Sequence, residues 1–238
     1  MKAESALFLA VETSTLTQSL ALCRGPELLA ERELELPRGH AAVLLRSVHE
    51  LLAEQRLGVA DLDALVVGLG PGSFTGLRIS LASLKGLALA FEKPLYGVSS
   101  LWALAYRVKP ADALVCACTD ARKGEVYAAL FKPEGEEWLP LRLSPDEAFD
   151  FVLPPRELAD RFMFVEPTRP IVFVGTGAQV YEQSLRASMG ERAHFALEAL
   201  APSAVHVARL ALPLLASPAP SLATLEPRYI RPSEAELH

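Results

Sequence analysis

A turn with one carboxylate and several hydroxyls ends the first apolar stretch of the chain. The segment "LFLAVETST" places Glu12, Thr13 and Ser14 directly after five apolar residues, a pattern typical of a buried strand that runs into a turn. A carboxylate beside hydroxyl groups can hold a metal ion and the phosphate bound to that ion. The alternative is a tight turn whose hydroxyls bond only to nearby backbone groups. The sequence leaves both interpretations open.

A glycine-rich loop follows a later apolar strand. The loop "GLGPGSFTG" contains Gly70, Gly72 and Ser73. It lacks the lysine of a P-loop and the spacing of G-x-G-x-x-G, so neither nucleotide-binding fingerprint applies. The unpaired N–H groups at the start of the next helix could still accept an anion. The alternative is that Ser73 or Thr75 caps this helix and that Gly76 allows close packing.

A second charged turn lies near the middle of the chain. The segment "TDARKGEVYAALF" crowds Asp120, Arg122, Lys123 and Glu125 into six residues. A charged hairpin tip is usually only solvated. A phosphate or partner contact of Arg122 and Lys123 is the alternative, because this turn follows its strand as the first turn does.

Other catalytic patterns are missing from the sequence. His40 and His49 lie nine residues apart, whereas a helical pair of metal ligands needs the i, i+4 spacing. We find no spacing that nominates a Ser–His–Asp or Cys–His arrangement. The three polar segments therefore hold the candidate site.

The order of predicted elements repeats once along the chain. Residues 7–36 predict three strands, followed by a helix in "HAAVLLRSVHELLAEQRL" and the strand "ALVVGLG". Helix 75–91, the strand "PLYGVSS" and a helix that Ser99 or Ser100 caps complete the order βββαβαβα. The same order begins again at "ALVCACTD", with a proline-broken helical region over 145–163 and a last helix in "PSAVHVARLALPLLA".

This duplication predicts an α/β protein with two mixed-sheet subdomains. The predicted subdomains are 1–109 and 110–238, joined near Lys109 and Pro110, and it stays open whether the last helix packs on the first subdomain. A duplicated βββαβαβα order resembles the plan of the actin-like ATPase fold (ASKHA, RNase H-like). Two such halves side by side would form a cleft, with both polar turns facing it. Fold alone does not imply ATPase activity.

Composition limits the classes of partner. The chain has 238 residues, 51% of them hydrophobic and 22% charged, which predicts a folded globular protein. Its formal charge of −6 provides no field that attracts polyanions, so we do not expect direct RNA binding. The apolar stretch "LRISLASLKGLALAF" carries Arg78 and Lys85, so we expect no membrane span. Cys116 and Cys118 alternate as same-face strand residues do, and we expect buried reduced thiols in a cytoplasmic protein.

Four segments together resemble one bacterial family. "LAVETSTLTQSLAL", "GLGPGSFTGLRISLASLKGLALAF", "TDARKGEVYAALF" and "EPRYIRP", in this order and at these separations, are similar to the TsaB (YeaZ) family. The resemblance covers nearly the whole chain, and GPGSFTGLR is its most specific part. It implies a role in making N6-threonylcarbamoyladenosine in tRNAs that read codons beginning with A. In that pathway the related protein TsaD transfers the threonylcarbamoyl group, with TsaB bound to it and the ATPase TsaE assisting.

The same resemblance implies a non-catalytic subunit. TsaD holds its metal through an HxxxH pair, and this sequence contains no HxxxH. The nearest candidate for the adenosine loop of the GGGxxN type is "GTGAQ" at 175–179, which lacks the third glycine and the asparagine. Glu12 stands where the fold more often has Asp, which fits a loss of chemistry. We therefore expect no intrinsic cofactor or metal, with ATP or ADP bound only together with a partner.

The resemblance also places a partner surface on two helices. In the family, the helices that correspond to 40–57 and 75–91 pair with TsaD or with a second copy. Ala82, Gly86 and Ala90 form a small-residue row at i, i+4 and i+8 that would let another helix approach, although the monomer core could use the same row. The predicted interface set comprises Leu44, Leu45, Val48, Leu51, Leu52, Ile79, Ala82, Ser83, Gly86 and Ala90.

Three functions follow as candidates. The first is a scaffold or activator for tRNA threonylcarbamoylation that binds TsaD and TsaE, forms a homodimer alone, and meets tRNA only through the complex. The second is a free-standing nucleotide-dependent phosphotransferase or ATPase, which the duplicated order and the polar turns would allow. A metalloprotease is the third, and the missing ligand spacing opposes it.

Overall fold

A computed structural model shows two compact units. It describes residues 2–36, 40–108, 110, 112–135, 137–142, 149–165 and 167–231, without the side chains of 40–42 and 163–165. Unit 1 comprises Met1–Ala103 and Pro202–Arg228, and unit 2 comprises Leu104–Ala201 and Tyr229–His238. Lys109, at the predicted join, lies outside the described residues. The chain returns to unit 1 at Pro202, so the last helix belongs with the first half of the sequence.

Unit 1 has the predicted element order. Its elements are β1 (Leu7–Glu12), β2 (Thr17–Arg24), β3 (Glu27–Glu35), α1 (His40–Glu54), β4 (Ala64–Gly68), α2 (Phe74–Ala90), β5 (Leu95–Val98) and α3 (Ser100–Ala105), whose last two residues lie in unit 2. The sheet order is β3-β2-β1-β4-β5. The pairs β1/β2 and β2/β3 are antiparallel, whereas β1/β4 and β4/β5 are parallel. The prediction of a three-stranded meander extended by parallel strands is confirmed.

Alternation along β1 gives the sheet of unit 1 two apolar faces. Leu7, Leu9 and Val11 pack into one core cluster together with residues of α1 and α2. Phe8 and Ala10 point to the other face and pack with the last helix, which we label α7 below. Helices therefore cover both faces of β1, and every one of its residues is buried.

Unit 2 repeats the plan with one added strand. Its elements are β6 (Leu114–Asp120), β7 (Val126–Glu134), β8 (Glu137–Leu141), β9 (Asp150–Leu153), α4 (Pro155–Val165), β10 (Ile171–Val174), α5 (Thr176–Val180), α6 (Glu182–Met189) and β11 (Ala193–Ala196). The chain then enters α7 (Ala204–Ala211) of unit 1. The sheet order is β11-β10-β6-β7-β8, and β9 also pairs with β7. Cys116 and Cys118 share one buried cluster, and both are free thiols.

The predicted helical region over 145–163 is wrong in its first part. Residues 143–148 lie outside the described residues, and 150–153 form a strand instead. This strand pairs antiparallel with β7, with Val126 opposite Leu153. A proline follows Leu153 and another follows Pro154, and a residue before proline favours extended backbone. The helix α4 begins only at Pro155, where a missing N–H is tolerated.

Candidate functional site

The carboxyl group of Glu12 is enclosed inside unit 1. Glu12 is 0% exposed. Its Oε1 accepts a hydrogen bond from the Ser14 N–H at 2.5 Å, and its Oε2 accepts one from the Ser100 hydroxyl at 2.6 Å. Burial raises the pKa of Glu12, and the hydrogen bonds from Ser100 and Ser14 oppose this shift. The carboxyl is thus already bonded to groups of the protein.

The glycine-rich loop is hydrogen-bonded both to Ser100 and to Ser14, the two residues that bond the Glu12 carboxyl. The Gly70 N–H donates to Ser100 Oγ at 3.0 Å, and the Ser100 N–H donates to the Gly70 carbonyl at 2.8 Å. The Ser73 N–H donates to the Ser14 carbonyl at 2.7 Å. These contacts bring together the predicted residues Glu12 and Ser14 of the turn and Gly70 and Ser73 of the loop.

The start of α2 fits closely against the turn. Ser73 caps the helix, because its Oγ accepts the Gly76 N–H at 3.2 Å. Thr13 Oγ1 donates to the Gly76 carbonyl at 3.0 Å. A Cβ at Gly76 would collide with the Thr13 carbonyl, and a Cβ at Gly72 would collide with Ser14. Of the N–H groups at the start of α2, those of Ser73 and Gly76 are therefore used within unit 1.

The turn of unit 2 is more open. Asp120 Oδ1 accepts hydrogen bonds from the Arg122 N–H at 2.9 Å and from the Tyr181 hydroxyl at 3.3 Å. Its Oδ2 lies 3.2 Å from Nη1 of Arg122, whose side chain is 80% exposed. Burial raises the pKa of Tyr181, and the nearby Asp120 carboxylate adds a smaller shift in the same direction. Arg122 and Lys123 both have φ near +60°, at 61° and 56°, which presents two exposed cations at the tip of a tight turn.

The C-terminal segment anchors this turn from behind. Arg231 Nη1 donates to the Ala121 carbonyl at 2.7 Å, and the guanidinium also pairs with Glu125. It lies 5.8 Å from the centre of the Tyr127 ring. Arg231 belongs to the terminal motif "EPRYIRP", but its contact with the turn had no signal in the sequence.

Helix α2 exposes its small-residue row. Ala82, Gly86 and Ala90 are all exposed, and a Cβ built at Gly86 would meet no atom within 4 Å. Leu89 beside them is 75% exposed. The alternative that the row is buried in the monomer core is thereby excluded for these residues. Of the other predicted members on α2, Ile79 packs against the core cluster and Ser83 is half-buried.

Four of the predicted interface residues on α1 are core residues. Leu44, Val48, Leu51 and Leu52 are each at most 2% exposed and belong to the cluster that covers β1. Their spacing is that of the inward stripe of an amphipathic helix, so their assignment to a partner surface is corrected here. Leu45 is 48% exposed and is the member of this α1 set that a partner can reach.

The described part of the chain offers neither a metal cluster nor a membrane span. No group of three or more His, Cys, Asp or Glu residues there could hold a metal ion. None of the helices in that part combines the length and the hydropathy of a membrane span.

The two mixed sheets with their flanking helices define the actin-like ATPase fold. Component A of the (R)-2-hydroxyglutaryl-CoA dehydratase of Acidaminococcus fermentans shares this fold, with a TM-score of 0.51 at 14% identity over 90% of this chain and 100% of that chain. Sequence identity above 30% over most of a named member shows that the chain belongs to the TsaB (YeaZ) family. YeaZ from Pseudomonas aeruginosa matches it with a TM-score of 0.77 and 29% identity, covering 94% of this chain and 99% of that chain.

Sequence comparison gives the same family. The chain is 33% identical over 185 residues to the Bacillus subtilis protein named tRNA threonylcarbamoyladenosine biosynthesis protein TsaB, covering 77% of each. The family model of TsaD, described as tRNA N6-adenosine threonylcarbamoyltransferase, matches residues 35–237. The chain is thus similar both to the named biosynthesis protein and to the transferase.

Proposed function

We propose that the chain is a non-catalytic scaffold or activator subunit in the formation of N6-threonylcarbamoyladenosine in tRNA. In this proposal it binds a TsaD-type transferase, and a TsaE-type ATPase acts on the complex. Alone, in the cytoplasm, the chain pairs with a second copy, and tRNA meets it only through the complex. The names of its relatives support the pathway.

The exposed row on α2 is the observation that carries this proposal. Ala82 and Gly86 offer a strip without large side chains, so the backbone of a partner helix can come close. Leu89 and Phe91, which are 75% and 42% exposed, add apolar area at the end of the same helix. Exposed apolar residues grouped in this way are typical of a protein–protein contact.

The closed turn of unit 1 supports a non-catalytic role. A carboxylate that handles a metal ion needs at least one oxygen directed to the ligand. Glu12 is instead 0% exposed, and its two carboxyl oxygens are directed at Ser14 and Ser100 of unit 1. We infer that nucleotide binding, if this chain contributes to it, requires groups of the partner.

Reconstitution tests the proposed function. The purified chain, incubated with tRNA and threonylcarbamoyl-adenylate, should form no modified adenosine that mass spectrometry detects. Addition of a TsaD-type transferase and a TsaE-type ATPase should start the reaction, and omission of the chain should stop it again. Transfer by the chain alone, or transfer that does not depend on the chain, would contradict the proposal. ATP hydrolysis by the chain alone would favour the phosphotransferase class.

A further inference from the structure

The last residue of β4 is a glycine although its backbone does not require one. The positive-φ residues of unit 1 include Gly25 and Gly70, whereas Gly68 is not among them. A Cβ built at Gly68 would instead overlap Oε2 of Glu12 and come within 3.0 Å of Ser100 Oγ. The space that any other side chain would take is therefore filled by the Glu12 carboxyl.

Successive hydrogen bonds connect the Glu12 carboxyl to the start of helix α2. Glu12 Oε2 accepts from the Ser100 hydroxyl, which in turn accepts the N–H of Gly70 in the glycine-rich loop. The loop leads within three residues to Ser73, whose N–H is bonded to the turn and whose Oγ caps α2. Through these contacts the carboxyl is linked to the loop from which α2 begins.

We propose that Glu12 and Gly68 form a fitted pair that positions α2 for partner binding, with Glu12 as a positioning residue rather than a catalytic one. This inference rests on the proposed function, because it assumes that the exposed face of α2 is the partner surface. It gives the acidic turn a role that needs no bound metal or phosphate. Ser100 transmits the fit, since its hydroxyl is bonded both to the carboxyl and to the loop.

A pair of compensating substitutions tests the fit. Gly68→Ala forces the carboxyl away from Ser100, and we expect the dissociation constant for a purified TsaD-type transferase to rise about tenfold, because only about one folded chain in ten would then hold α2 in the position that binds. Adding Glu12→Asp shortens the acid by one methylene and makes room for the new methyl group. The double variant should recover most of the lost affinity.

Matched controls separate positioning from general damage. Gly58→Ala introduces the same methyl group at φ −125°, where its nearest neighbour is a carboxylate oxygen at 3.8 Å, and it should bind as the wild type does. Affinities are compared at a temperature at which circular dichroism shows each variant to be folded. If Gly68→Ala alone fails to fold, Ser100→Ala takes its place, and its loss of affinity carries the test.

The outcomes distinguish this inference from the function on which it rests. Wild-type affinity in Gly68→Ala, or a double variant that binds no better than Gly68→Ala, would overturn the fitted pair while leaving the scaffold role intact. A wild-type chain that binds no transferase would overturn both. Loss in Gly68→Ala with recovery in the double variant is the result that the inference predicts.

Discussion

The two acidic turns occupy the same place in their sheets and differ in what surrounds them. Each follows the first strand of its sheet, β1 in unit 1 and β6 in unit 2. Glu12 is 0% exposed and bonded to groups of unit 1 itself. Asp120 supports a turn that presents Arg122 and Lys123 to solvent. A duplicated fold therefore preserves the position of an acid without preserving its task.

The loops that follow the inner strands show the same difference. In unit 1, the loop after β4 reaches the acid through the hydroxyl of Ser100. In unit 2, the residue after the loop glycine, Thr176, accepts the N–H of Asp120 at 3.1 Å with its own hydroxyl. The Ser100 hydroxyl donates a hydrogen bond to a side-chain carboxyl, whereas the Thr176 hydroxyl accepts one from a backbone N–H. The turn of unit 1 is thus bonded to the start of an adjacent helix, whereas the turn of unit 2 exposes the Arg122–Lys123 tip.

Removal of each acid should give the largest contrast. Glu12→Ala leaves the Ser14 N–H and the Ser100 hydroxyl without their acceptor inside unit 1, and we expect a loss of about 2–4 kcal/mol in the free energy of unfolding. Asp120→Ala removes an ion pair with an exposed arginine and two hydrogen bonds at a half-buried position, so it should cost less, about 1–2 kcal/mol. Chemical denaturation of both variants measures the contrast. Equal losses would refute the difference between the two turns.

A pair of glycine substitutions should give the next largest contrast. At Gly72 a methyl group would collide with the Ser14 backbone, and overpacking of this kind costs about 1–3 kcal/mol. At Gly124, with φ +80°, a methyl group meets no atom within 4 Å, so Gly124→Ala should cost only the backbone strain of about 1 kcal/mol. Differential scanning calorimetry of the two variants ranks them. A larger loss for Gly124→Ala would contradict the close fit of the glycine-rich loop.

The sequence predicted the order of the helices and strands better than it predicted which helix faces are buried and which are exposed. Hydrophobic spacing correctly predicted α1 and α2, because periodic burial determines where a helix forms. The family resemblance assigned the leucines of α1 to a partner surface. Their spacing could not correct this, because the stripe from Leu44 to Leu52 has the same spacing on a core face as on an interface. The row at Ala82 and Gly86 stayed ambiguous until the structure showed it exposed.

Contacts distant in sequence were not predictable. Ser100 was expected only near a helix start, and its bond to Glu12 joins residues 88 positions apart. The contact of Arg231 with Ala121 spans 110 positions. The strand β9 was missed although the two prolines after Leu153 favour extended backbone, because its pairing with β7 has no signal in the sequence.

The buried carboxyl of Glu12 should also make the stability depend on pH. The pKa of Glu12 is raised above its ordinary value of 4.5 on folding, so the folded chain binds the proton more tightly than the unfolded chain. Its contribution to stability is full below 4.5 and is lost as the pH rises through the raised value. Relative to Glu12→Gln, which does not titrate, the wild type should become less stable over that interval. Thermal unfolding at several pH values measures the stability difference between the wild type and Glu12→Gln. A difference that stays constant with pH would contradict the burial of this carboxyl.

The central claim is that the exposed face of α2 binds the transferase, and one matched pair of variants tests it most directly. Ala82→Arg places a long cation on that face, whereas Ala187→Arg makes the same change at an exposed position of α6 in unit 2. Because both sites are exposed, both variants should unfold at the wild-type temperature. Sedimentation velocity with a purified TsaD-type transferase then measures the complex. We predict that Ala82→Arg weakens binding by about a hundredfold or more, the effect of burying an unpaired charge, and that Ala187→Arg binds normally. Wild-type affinity in folded Ala82→Arg would contradict the account.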